Sequence, residues 1–247
     1  MNTFTPFQPE ALPNVLPSSA QLLEVLSDDD VALEDVAREV ERNPTIAAKL
    51  LALANSPWAH PASSITSLRA ACTRLGLDIV KSFALAVTMG QSFDPTRCPA
   101  FSARQFWLSA VLTSEVAAAL ANQSGIRPST ARTAGLLHNI GLLALAAQLP
   151  DQTDQALRDV STRAALHAFC GIGYTEVGHT LLAHWAVPEE LLEGFTDGPF
   201  LDMVEVALSQ AKLLMSEEAD PADILAEAER VANRLDEARQ LAEMLAA

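Results

Sequence analysis

Aromatic side chains are scarce in this sequence: Phe, Trp and Tyr make up 5% of its 247 residues, with a single tyrosine. Runs of β-branched residues are scarce too, and no segment alternates apolar and polar residues with the period of a half-buried strand. Alanine and leucine dominate instead, and both are strong helix formers. Positive charge is also sparse. Sixteen Lys and Arg stand against 31 Asp and Glu, a net charge of −15. A field of that sign repels phosphate backbones and anionic lipid, and no cluster of Lys and Arg offsets it, so nucleic acid and membrane are disfavoured as partners.

The three cysteines, Cys72, Cys98 and Cys170, are odd in number and in no paired spacing, which suits free thiols in a reducing compartment. The opening MNTFTPFQPE has neither the basic nor the apolar region of a signal peptide. The longest apolar tract is interrupted and too short for a membrane span. These readings together predict a cytoplasmic protein. No phosphate-binding glycine loop is present: Gly171-Ile172-Gly173 lacks the preceding strand and the third glycine. No Ser-His-Asp order suggests a hydrolase elbow.

Apolar residues account for 49% of the chain, enough for a sizeable core. Helical spacing and capping residues predict an all-α fold. A first helix starts near Ser18, which forms a capping box with Gln21. A second runs over about 31–42, behind the acidic signal Asp28 to Asp30. Asn43-Pro44 opens a third, a cap followed by proline at the first helical position. Further helices are expected over about 67–75, 78–89, 103–123, 128–148, 154–168, 174–185, 189–195, 201–215 and 222–246. Asp94 to Pro99 is the expected boundary between a front lobe and a second lobe.

The segment Thr133 to Gln148, TAGLLHNIGLLALAAQ, is apolar on almost every turn, so it is expected to be buried. In its middle sit His138 and Asn139, flanked by Gly135 and Gly141. A buried imidazole and amide each require a hydrogen-bond partner or a ligand. Ala134 to Gly141 resembles the motif of the HD phosphohydrolase superfamily, in which adjacent His and Asp bind a metal; Asn139 stands where the Asp would be. The front region, from Asn43-Pro44 through Asn55-Ser56 and Ile65 to Leu75-Gly76, is similar to the HDOD family, the HD-related output domains of bacterial signalling. The similarity continues to Trp185-Ala186-Val187-Pro188 and covers roughly 12–197. It implies a two-lobed helical HDOD domain at 12–197, with lobes at 12–94 and 100–197, and a helical extension at 198–247.

The resemblance also says where further metal ligands would fall. Trp107-Leu108-Ser109 occupies the place of one expected His. Tyr174 stands at another, and Thr196-Asp197 at the terminal pair. One imidazole and one amide cannot hold a divalent ion and acidify its water. The expectation is therefore no metal, no cofactor and no catalytic residue, with His138 and Asn139 as a remnant of the HD motif. A zinc site from His167, Cys170 and either His179 or His184 matches no standard spacing. A Cys170–His167 nucleophile lacks an orienting third group. Trp58 and His60, in a proline-rich loop, are the candidate partner or ligand surface, although a tryptophan there also suits a core plug.

The resemblance implies a non-catalytic signalling module working through other signalling proteins, self-association or a cyclic dinucleotide. The alternative is a divergent metal-dependent phosphohydrolase acting on a nucleotide or cyclic dinucleotide.

Overall fold

The computed structural model describes residues 7–12, 21–22, 25, 31–59, 61, 63–159, 162–216 and 220–246. Among these residues the regular structure is helical, with no strand, as an all-α chain requires. The helix expected near Ser18 and the acid run Asp28 to Asp30 fall largely outside them. No helix among the described residues is long and apolar enough to cross a membrane.

Four helices form the front of the molecule: α1 (Leu33–Glu41), α2 (Pro44–Asn55), α3 (Leu68–Leu75) and α4 (Leu77–Gly90). The cap expected at Asn43 is in place, and Ser67, expected as the first residue of its helix, is instead the cap of α3. Asn43 accepts from the Ile46 amide at 3.3 Å, and Ser67 from the Ala70 amide at 3.3 Å. Gly76, at φ 81°, turns α3 into α4, a backbone conformation that L side chains rarely adopt. Asn55 does more than end α2. Its amide nitrogen donates to the carbonyls of Leu51 (2.9 Å) and Ile65 (2.8 Å), and its oxygen accepts from the Ile65 amide at 2.8 Å. The loop leaving α2 is thereby tied back onto it.

The long α5 (Ala103–Ser124) is the central element. Its buried face carries many alanines, among them Ala110, Ala117 and Ala121, so neighbours approach closely. Packed on it are α6 (Pro128–Leu137) and, from the far end of the chain, α12 (Pro199–Met215), α13 (Ala226–Ala232) and α14 (Leu235–Ala246). Between these come α7 (Ile140–Gln148), α8 (Pro150–Leu157), α9 (Thr162–Cys170), α10 (Tyr174–His184) and the short α11 (Glu189–Leu192). One apolar cluster runs through the whole molecule, from Leu12 to Leu245.

The C-terminal helices are clipped to the front helices by two cations. Lys49 of α2 donates to the Met244 carbonyl at 2.9 Å and the Leu245 carbonyl at 3.3 Å, capping the end of α14. Arg234 donates to the Trp58 carbonyl at 2.5 Å and to Glu237 at 2.8 Å.

Candidate functional site

The expected helix over 128–148 is two helices. The break falls on His138 and Asn139, between the end of α6 at Leu137 and the start of α7 at Ile140. Asn139 has φ −107° and ψ 11°, the bridge region in which turn and active-site residues sit. The Leu142 amide bonds the Asn139 carbonyl at 2.8 Å and restarts the ladder.

Two glycines fix this kink against its neighbours. A Cβ on Gly135 would stand 2.8 Å from the Ser114 Cα and from the Thr113 carbonyl oxygen, so α6 touches α5 backbone to backbone. A Cβ on Gly141 would run into the Tyr174 carbonyl oxygen and stand 2.6 Å from the Gly178 nitrogen. No side chain fits where α7 crosses α10.

Both residues of the pair are buried, His138 at 5% exposure and Asn139 at 6%. His138 Nδ1 lies 2.7 Å from the Gly135 carbonyl oxygen. A carbonyl only accepts, so Nδ1 carries the proton of the neutral ring and Nε2 holds the lone pair. Asn139 Nδ2 donates to the Phe106 carbonyl at 3.3 Å, while Oδ1 is buried with no donor among the described residues.

Burial, above all, pushes the His138 pKa down from 6.5 to about 4; the Gly135 hydrogen bond opposes this and the Lys212 charge adds to it. The folded value lies below the unfolded one, so between those limits the unfolded chain binds more protons. Stability is full above pH 6.5 and declines as pH falls toward 4, by about 3 kcal/mol from this ring. Urea titrations across that range should show the decline in the wild type and a flatter profile in His138→Gln. Equal slopes in the two proteins would contradict the assignment.

A very small space of about 10 Å³ adjoins the imidazole, at the margin of what one water needs. Arg163, Tyr174, Thr175, Phe195 and Glu205 are among the residues that line it. Arg163 donates to Glu205 at 2.6 Å and to Thr175 Oγ1 at 3.4 Å, and its guanidinium lies 5.7 Å from the centre of the Tyr174 ring. Burial raises the Tyr174 pKa, keeping the phenol neutral.

An HD-type metal does not fit these residues. The acid lining the space, Glu205, is committed to Arg163. With that pair formed, no carboxylate is left over to hold a cation beside the neutral imidazole. Among the described residues, no group of three or more His, Cys, Asp or Glu is placed to hold a metal.

The other positions read from the sequence can be placed too. Trp107 is buried and packs edge-on against Phe106, with ring centroids 4.9 Å apart. Thr196 and Asp197 are exposed beyond a 3-10 turn. His167 faces solvent, whereas Cys170 is buried with its sulfur 3.8 Å from Thr153 Oγ1, so the two do not converge. Burial raises the Cys170 pKa, which disfavours the reactive thiolate. All three cysteines are free and buried.

Trp58 is 8% exposed and takes the Arg234 guanidinium over its ring at 5.3 Å. His60 lies outside the described residues. Arg163, Glu205 and Arg234, which shape these surroundings, were not legible as site residues, because nothing local marks a contact across 42 or 176 positions.

Residues 12–197 match the HDOD domain family. No curated protein matches the chain. Several solved structures share the fold. A Shewanella amazonensis protein provisionally named a phosphohydrolase is 21% identical with a TM-score of 0.75, over 96% of each chain. A Marinobacter aquaeolei protein provisionally named a signal transduction protein is 22% identical with a TM-score of 0.78, over 99% of this chain but 63% of its own length. A Geobacter sulfurreducens HDOD domain protein of unknown function is 21% identical with a TM-score of 0.71, over 95% of this chain and 93% of that one. The match over 12–197 spans most of the sequence, and the chain belongs to the HDOD domain family.

Proposed function

We propose that this HDOD protein is a non-catalytic signalling module. It relays a regulatory state through contacts with other signalling proteins, or through sensing of a nucleotide second messenger, in the bacterial cytoplasm. The observation that supports this reading is the closure of the His138 centre. A neutral imidazole and a guanidinium line a space of about 10 Å³, and the carboxylate that also lines it is already paired. A metal-activated hydroxide requires ligands that hold the ion and an open position for substrate.

Metal-dependent phosphohydrolysis is the competing reading, and two solved relatives carry that provisional name. At 21% and 18% identity they speak for the fold alone. The test is an assay with bis-p-nitrophenyl phosphate and a cyclic dinucleotide in the presence of manganese. Release of product is expected to stay at the level of buffer. Turnover that disappears in His138→Ala would make the chain a hydrolase.

A further inference from the structure

Thirteen arginines and three lysines are spread over this acidic chain. Three of the arginines, Arg132, Arg230 and Arg234, line a single cleft of about 260 Å³ between α5, α6 and the C-terminal helices, with Trp58 as part of its wall. Two of the three are held in place. Arg132 is paired with Glu115, both largely covered. Arg234 is fixed by the Trp58 carbonyl, the Trp58 ring and Glu237. Arg230, in α13, is exposed and pairs with no acid among the described residues. Of the acids facing the cleft, Glu115 is paired with Arg132, and Glu227 keeps its charge but is turned to Gln123, whose amide donates to it at 2.5 Å. Arg230 is thus the uncommitted cation of a cavity that already has two oriented guanidinium groups.

We propose that this cleft binds an organic phosphate of about mononucleotide size. Guanidinium forks match phosphate oxygens, and a phosphoryl group, unlike a carboxylate, has oxygens enough for more than one fork. The volume lies near the lower end of small-molecule pockets, about 300 Å³, and far exceeds a bare phosphate. Arg230 closes on the phosphate, while Arg132 and Arg234, held by Glu115 and Glu237, frame the cleft with guanidinium N–H donors. The site joins the family domain to helices beyond residue 197, so it is independent of the His138 centre and of whether that centre is catalytic.

The test is calorimetric titration of the full chain with AMP, GMP and cyclic di-GMP, with inorganic phosphate and sulfate alongside. At least one nucleotide is expected to bind saturably. Arg230→Ala is expected to weaken it about tenfold or more, the worth of one charged hydrogen-bond pair. Arg97→Ala, an exposed arginine elsewhere, should leave binding unchanged. Arg230→Glu serves as a second variant, with a larger loss expected. Absence of binding by every nucleotide, or equal binding to Arg230→Ala and wild type, would overturn the proposal. So would sulfate and inorganic phosphate binding as tightly as the nucleotides, which would reduce the cleft to a general anion site.

Discussion

A Gly141→Ala variant is expected to lose about 3 kcal/mol of stability or more, the upper range for forcing a methyl into a filled space. For a chain of this size that is a fall of about 6–12 °C in Tm. The added Cβ would meet backbone, the Tyr174 carbonyl and the Gly178 nitrogen, rather than the yielding end of a side chain. Relief requires α7 and α10 to move apart. Gly135→Ala should behave alike, since its Cβ would press on α5 backbone at 2.8 Å. Gly173→Ala is the control: nothing lies within 4 Å of its Cβ, so its Tm should stay near that of the wild type. A thermal melt of the three variants checks the order. A Gly141→Ala protein as stable as Gly173→Ala would mean that the kink is not held by this crossing.

Asn139→Asp is expected to destabilise the protein at neutral pH by about 3 kcal/mol, the scale for a buried charge without a partner. Nδ2 donates to the Phe106 carbonyl, and Oδ1 has no donor among the described residues. A carboxylate there would set one oxygen against that carbonyl and leave the other unsolvated. Its folded pKa must therefore lie above the unfolded value. In that case the variant is least impaired below the unfolded pKa, where the protonated acid can donate to Phe106, and the deficit grows as pH rises through the folded pKa. The gap between variant and wild type, measured by urea unfolding at each pH, removes the separate contribution of His138. That gap should narrow toward acid. A gap that is constant with pH would contradict the account. So would rescue of Asn139→Asp by added manganese, because it would mean that one carboxylate suffices to rebuild a metal site.

Local structure was legible in the sequence wherever a cap or a backbone requirement is written into a few adjacent residues. Asn43-Pro44 marks a helix start that the structure reproduces, and the helix expected over about 67–75 is found at Leu68–Leu75. Interior breaks were not legible. The sequence predicts one helix over 128–148, one over 222–246 and one over 154–168. Instead α6 and α7 part at His138-Asn139, α13 and α14 part at Asn233-Arg234, and α8 and α9 are separate helices starting at Pro150 and Thr162. Hydrophobic periodicity reports which face is buried on either side of a break, but not the backbone angles at it. At Asn139 those angles are imposed by close crossings with α5 and α10, which come from elsewhere in the chain.

The centre itself was half legible. The poverty of ligands follows from residue identity: tryptophan, leucine, serine and tyrosine stand where imidazoles would be needed. What fills the space does not follow from identity. Arg163 reaches it through an ion pair with Glu205, 42 positions away, and the cleft at Trp58 depends on an arginine 176 positions away. Such pairs are long-range products of packing, and no local pattern announces them.

The most direct measurement is the metal content of this chain after equilibration with manganese, iron or zinc and removal of excess ion. A pocket occupied by a guanidinium and one neutral imidazole predicts far less than one ion per chain, with no difference between wild type and His138→Ala. One tightly held ion per chain, lost in His138→Ala, would contradict it.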